Sequence, residues 1–312
     1  MRGNVSKKLK AFLEQVNIAI AEAKHMNLPY GVETTRQNLE NLKQFMSEET
    51  DVSFIEDRVL ELDNRKVPVR VYNPNLEKSL PVIIHYHGGG HMCGSIELYD
   101  PVCRKLSISS EAIVLAVDYR LAPEHPYPAG LEDSEFVLEN YRHLINDMKV
   151  TGEVIIAGDS AGGAICASLA RNSLTNQNLK IDKQVLIYPS LDYTMSSLSV
   201  EENGEGFLLE KAKVAWYFSQ YFQHEDTWAV RKSASPLFGA ISSALPKTLL
   251  FSAGCDPLRD ESFQYVENLL NHDACVEHVH FESMIHAFML LDDLVTDECR
   301  SVYQKIAEFV RS

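Results

Sequence analysis

The chain has no CxxC pair. Its six cysteines, Cys93, Cys103, Cys166, Cys255, Cys275 and Cys299, are scattered, a spacing that suits neither a zinc site nor a dense disulfide framework and fits a reducing, cytoplasmic setting. Long apolar runs are missing too: no stretch approaches the roughly 18 consecutive apolar residues of a membrane span. The basic start of residues 1–24 is followed by Glu14, Gln15 and Asn17, which interrupt the apolar run a signal peptide needs. Glycine and proline number only 15 and 12 in 312 residues, which excludes a collagen-like or low-complexity chain. Basic residues are outnumbered, 29 Lys+Arg against 44 Asp+Glu, for a net charge of −15. That balance repels phosphate backbones and anionic headgroups, and Lys7, Lys8 and Lys10 are the lone basic cluster against it. Neither nucleic acid nor a membrane is an expected partner.

What is present is an ordinary globular composition, 45% hydrophobic and 23% charged, long enough for one large core. Val5, Leu9, Phe12, Leu13, Val16 and Ile20 recur at spacings of three and four, which predicts an amphipathic helix over 5–20. A second helix is expected after Thr35, carrying Leu39, Leu42, Phe45 and Met46. Strand patterns follow at 53–62 and 67–72. From residue 81 the rhythm changes: apolar runs at 81–86, 112–117, 154–157, 184–188 and 248–252 each end in a turn rich in Gly, Asp or Pro, with helical stretches between them. Buried strands alternating with helices predict an α/β fold, a mainly parallel sheet covered on both faces. Between 188 and 246 the spacing breaks into a polar, loop-like stretch (191–206) and an aromatic helix (207–222). The expected organisation is a helical cap segment at 1–50 and a catalytic domain at 51–312 that carries a cap insertion at about 191–235.

Two glycine-rich turns carry chemistry. Gly158-Asp159-Ser160-Ala161-Gly162 joins a strand to a helix, where flanking glycines allow a sharp turn that pushes the Ser160 hydroxyl out over the sheet. His87-Gly88-Gly89-Gly90 follows the 81–86 strand and leaves backbone N–H groups unshielded. Gly88 and Gly89, with the N–H of Ala161, are candidate donors to an oxyanion. A hydroxyl is a poor nucleophile at neutral pH, so Ser160 needs a base and the base an orienting carboxylate. The order serine, acid, histidine leaves five of the eleven histidines. His224 falls in the insertion, His272 near a helix end, and His278 and His280 alternate on a strand at 276–281. His286 remains, in the loop expected just past that strand, where catalytic groups in open α/β sheets gather. For the acid, Asp256 follows the 248–252 strand directly. Asp260 and Glu261 read as first-turn charges opposing a helix dipole, with Asp260 the fallback.

These motifs, with Asp118-Tyr119-Arg120-Leu121-Ala122-Pro123-Glu124 and Glu202-Asn203-Gly204-Glu205-Gly206, resemble the hormone-sensitive-lipase-like esterases, the bacterial family IV carboxylesterases, from about Val52 to the C-terminus. The resemblance implies an α/β-hydrolase fold with a helical cap and a Ser160/His286/Asp256 triad. It further implies an oxyanion hole from Gly88, Gly89 and Ala161, and a serine carboxylesterase acting on short to medium acyl esters without cofactor or metal. The 118–124 segment would brace the site. The expected partner is a small ester, with a homodimer allowed. Three positions depart from the family pattern: His91 where an aromatic is usual, Tyr99 where many have His, and Ala287 where Gly commonly follows the catalytic His. His91 is a candidate pocket residue that would set an imidazole against the acyl or alcohol chain, or else a solvent-facing side chain. Trp216, on the aromatic helix, is a candidate for the pocket or for packing. The alternatives are an amide hydrolase using the same triad, as in arylacetamide deacetylases, and a ligand receptor on this fold. The gibberellin receptors of that second kind lack the His that is present here.

Overall fold

The structure, a computed structural model, describes residues 1–48, 50–62 and 64–312. A 3₁₀ turn at Lys7–Leu9 leads into α1 (Lys10–His25), and α2 (Val32–Glu40) runs on into a second turn at Asn41–Phe45. The first helix lies C-terminal to the expected 5–20. Ser6 is extended, and its Oγ accepts the Lys8 N–H, so the helix cannot begin before it. At the other end Ala21, Glu22, Ala23 and Lys24, all strong helix formers, carry it on.

Strands β1 (Phe54–Leu62) and β2 (Arg65–Asn73) pair antiparallel. The alternating unit follows as β3 (Leu80–Tyr86), α3 (Ile96–Ser110), β4 (Ile113–Val117), α4 (Ala129–Asn140), β5 (Val150–Asp159), α5 (Ala161–Ser173) and β6 (Lys183–Ile187). Three helices, α6 (Leu198–Glu202), α7 (Lys211–Phe222) and α8 (Trp228–Ala234), precede β7 (Lys247–Cys255), α9 (Arg259–Asn271), β8 (Val276–Ile285) and α10 (Thr296–Arg311). The sheet order is β1-β2-β4-β3-β5-β6-β7-β8, with β2 antiparallel to β4 and every pair from β4 to β8 parallel. The polar stretch at 191–206 thus contains one short helix, and the aromatic helix starts at Lys211 rather than 207.

Period-two alternation divides the core. On one face Ile83, Val114, Ile155, Val185 and Phe251 pack with residues of α3 and α10. Their neighbours Val82, Ile84, Leu115, Ile156 and Leu250 face the opposite way, toward α4, α5 and α9. Strands buried on both faces carry no polar alternation, which is why β4 and β6 are buried at every position. Each of these side chains contributes about 1.5–3 kcal/mol of transfer free energy. β8, at the edge, mixes partly buried and exposed positions until it becomes buried at Met284 and Ile285. Among the described residues no helix is long and apolar enough to cross a membrane.

The parallel strands all point their C-terminal ends the same way. β3 therefore delivers the glycine loop, β5 delivers Ser160, β7 delivers Asp256 and β8 delivers His286 to one edge of the sheet. β8 reaches Ile285, so His286 follows the strand directly and the loop expected at 282–286 is mostly strand.

Candidate active site

Ser160 sits between β5 and α5 with φ 51° and ψ −116°, a conformation L-residues rarely adopt. Its N–H donates to the Ile187 carbonyl at 2.9 Å, and its own carbonyl accepts the Ser190 N–H at 3.0 Å, so neighbouring chain holds the strained turn. The turn is tight because a Cβ on Gly162 would collide with the Tyr86 carbonyl oxygen. The Oγ lies 2.8 Å from His286 Nε2, and His286 Nδ1 lies 2.8 Å from Asp256 Oδ2. With Nδ1–H donating to the carboxylate, Nε2 is left as an acceptor facing the serine hydroxyl. The ring of Tyr188 packs against that of His286 at 4.9 Å.

Asp256 is 1% exposed, and its other oxygen accepts the Leu258 N–H at 2.8 Å. Asn203, in the segment ahead of α7, donates to the Asp256 and Gly254 carbonyls, each at 3.1 Å, while its side-chain oxygen accepts the Gly3 N–H. Asp260 is committed elsewhere: Oδ2 accepts the Ser199 N–H at 2.9 Å and Oδ1 the Arg259 Nε–H at 2.7 Å. It belongs to the first turn of α9. Ala287 adopts φ 60° and ψ 23°, so the position after His286 does require the left-handed region, and alanine holds it at a cost of roughly 1–2 kcal/mol.

The glycine loop corrects one expectation. The Gly88 N–H is occupied, donating to Asp159 Oδ1 at 2.8 Å and to the Tyr99 hydroxyl at 3.2 Å. An amide tied to a buried carboxylate cannot also serve an oxyanion. The N–H groups of Gly89 and Gly90 have no hydrogen-bond partner among the described residues, and that of Ala161 opens α5 as a first-turn donor. Asp159 is the residue sequence reasoning overlooked. Its Oδ2 accepts the Tyr99 hydroxyl at 2.9 Å, so the carboxylate anchors the glycine loop to the serine turn. Burial pushes its pKa up to about 6, against the pull of Tyr99 and the Gly88 N–H. The available signal was its polarity at the end of an otherwise apolar run. The 118–124 segment contacts the same loop: Tyr119 stacks on His87 at 4.5 Å, and its hydroxyl donates to the His87 carbonyl at 2.6 Å.

A cavity of about 870 Å³ opens over Ser160 and His286, walled by Gly89, Gly90 and residues of α1, α2 and α7. Tyr217, Phe218 and Val214 of α7 line it. Trp216 is not among the lining residues; its ring packs on Tyr30, itself part of the wall, at 5.3 Å.

His91 lines the cavity, but not as a lone imidazole against hydrocarbon. Its ring stacks on Tyr221 at 3.9 Å and 7°, and Nε2 bonds the Tyr193 hydroxyl at 3.0 Å. Burial drives its pKa down to about 3, and holds His85 near 3 and His87 near 4. Below about pH 6.5 the unfolded chain protonates these imidazoles while the folded chain leaves them neutral, so stability falls as pH drops toward those values. Each contributes about 1.4 kcal/mol per pH unit. Asp159, with its raised pKa, opposes one of the three between about pH 6 and 4. His91→Phe is expected to reduce the slope by about 1.4 kcal/mol per pH unit over that range, and to cost about 1 kcal/mol at pH 7.5 by stranding Tyr193. Urea unfolding at pH 7.5, 6 and 5 checks this, and an unchanged slope would mean His91 titrates normally in the fold.

Comparison with known proteins agrees with the geometry. Residues 83–290 match the family described as alpha/beta hydrolase fold. The carboxylesterase NlhH of Mycobacterium tuberculosis is 36% identical over 269 residues, 83% of this chain and 82% of that one. The carboxylic ester hydrolase LipN of the same organism is 35% identical over 236 residues, 73% of this chain but 62% of its own greater length. Among solved structures, a hyperthermophilic esterase from the archaeon Pyrobaculum calidifontis superposes with a TM-score of 0.85 at 32% identity, covering 98% of both chains. The chain therefore belongs to the α/β-hydrolase family, in its hormone-sensitive-lipase-like group of carboxylesterases.

Proposed function

We propose that Ser160, His286 and Asp256 hydrolyse short to medium acyl esters through an acyl-enzyme. The observation that carries this reading is the continuous Asp256–His286–Ser160 hydrogen-bond chain, 2.8 Å at each link. His286 Nε2 accepts the Ser160 proton as Oγ bonds to the ester carbonyl carbon. The N–H groups of Gly89, Gly90 and Ala161 receive the developing oxyanion. His286 returns the proton to the departing alkoxide, and the C–O ester bond breaks. A water then gives a proton to His286 as it attacks the acyl carbon, and His286 passes that proton to Ser160 Oγ as the bond between Oγ and the acyl carbon breaks and the acid leaves. Asp256 keeps the imidazole oriented and stabilises its charged form.

Residues 1–50 and about 191–235 form the cap in this reading, because α1, α2 and α7 all contribute walls to the cavity above Ser160. Its volume lies within the roughly 300–1,000 Å³ range of small-molecule sites. A cytoplasmic setting is supported by five cysteines buried as free thiols. The test is turnover of p-nitrophenyl esters from acetate to decanoate beside a matched anilide. Ester cleavage is expected to peak at short to medium length and to outpace the anilide, and a faster anilide would replace the esterase reading with an amidase.

A further inference from the structure

Four charged side chains line the cavity above Ser160: Lys24, Asp159, Glu210 and Lys213. Three are committed. Lys24 Nζ and Glu210 Oε1 pair at 3.0 Å, and Asp159 is turned into the wall by Gly88 and Tyr99. Lys213 has neither an ion pair nor a hydrogen bond with any described residue. Its Nζ lies 5.7 Å from the centre of the Tyr217 ring. That ring lies against the glycine loop, since a Cβ built on Gly90 would come within 2.7 Å of Tyr217 Cγ. The same aromatic ring thus neighbours both the ammonium and the glycine loop beside Ser160.

The placement is costly for the free protein. Lys213 stands in the first turn of α7, at the positive end of the helix dipole, where a cation is disfavoured. Loss of water pushes its pKa below the ordinary lysine value. The side chain is partly buried and Glu210 offsets part of the shift, yet an ammonium with reduced water access and no bonded partner gains more from an arriving anion than a fully solvated one does.

We propose that Lys213 is a specificity determinant that binds a carboxylate on the substrate, in the same cavity as the ester held over Ser160. Esters fitting this description are monoesters of four- to six-carbon dicarboxylic acids, with the anion on the acyl side, and carboxyphenyl esters, with the anion on the leaving group. This rests on the carboxylesterase reading for the identity of the ligand as an ester, but its test reads binding rather than turnover.

Ser160→Ala protein, which holds substrate without consuming it, is titrated calorimetrically with monomethyl glutarate and its neutral partner dimethyl glutarate. A second pair is 3-carboxyphenyl acetate and 3-carbamoylphenyl acetate. The carboxylate member of at least one pair is expected to bind about 10- to 100-fold more tightly, as for a charge-assisted hydrogen bond, and the pair that responds tells which side carries the anion. Adding K213M should shrink that preference to within about threefold, whereas K213R should retain most of it. Equal affinity within both pairs, or a preference that survives K213M, overturns the proposal. Wild-type kcat/KM on the same esters is read separately: tight carboxylate binding with no turnover of any ester would count against the hydrolase reading and leave the Lys213 result standing.

Discussion

Ser160→Ala is expected to lower kcat by about four to six orders of magnitude while leaving ester binding and the melting temperature nearly unchanged. The acyl-enzyme path requires a covalent bond to Oγ, and alanine leaves His286 with no serine hydroxyl to deprotonate. A residual rate above water is still expected, because the amides of Gly89, Gly90 and Ala161 continue to stabilise an oxyanion formed by direct attack of water. The strained turn persists, since the Ser160 N–H bond to Ile187 and carbonyl bond to Ser190 are backbone interactions. A reactive phosphonate with peptide mapping makes the test decisive. It should modify Ser160 in the wild type and nothing in the variant, and labelling of another serine would overturn the assignment.

Asp256→Asn should reduce kcat by about two to four orders of magnitude, through orientation rather than through chemistry at the ester. The carboxylate accepts from His286 Nδ1–H; an amide can instead donate there, stabilising the tautomer that presents a proton to Ser160 and cannot take one. Because Oδ1 also accepts the Leu258 N–H, the loop keeps its shape if the asparagine oxygen takes that role. Asp260→Asn is expected to change kcat less than about threefold and to lower stability by about 1 kcal/mol, since Asp260 holds the Ser199 N–H and Arg259. Steady-state kinetics with thermal unfolding of both variants separates the two effects. Comparable kcat losses from the two substitutions would remove the distinction between them.

Much of this was legible before any fold was described. The run-and-turn rhythm after residue 81 predicted the parallel sheet, and the β3, β4, β6 and β7 runs fall inside the observed strands or within a residue of their ends. The serine turn, His286 and Asp256 were each singled out by type and place, and the fold brings all three within hydrogen-bond reach. Expectations failed where a side chain's role depends on what lies across from it. Gly88 looked equivalent to Gly89 because both lack a side chain; the difference is the Asp159 carboxylate opposite one of them. His91, read as a pocket residue or a solvent-facing one, does line the cavity, but the sequence missed that its polar atom is satisfied, because Tyr193 and Tyr221, more than a hundred residues away in the chain, supply its partners. For Trp216 the sequence left pocket and packing open, and the contact that decides between them, with Tyr30, lies outside the helix that carries it.

The sequence by itself determined the elements and the chemical vocabulary of the site. Apolar periodicity, glycine at the strand–helix turn and the order of serine, acid and histidine are local properties, dictated by backbone sterics and by which faces must leave water. Only the tertiary structure decided which donors are free and which charges are unpaired. Those outcomes depend on distances between residues far apart in the chain: Asp159 to Gly88, Lys24 to Glu210, and Lys213 to no described partner. A hydrogen bond or ion pair strengthens steeply as its groups meet and water leaves, so availability for chemistry belongs to the packed arrangement and not to the residue type.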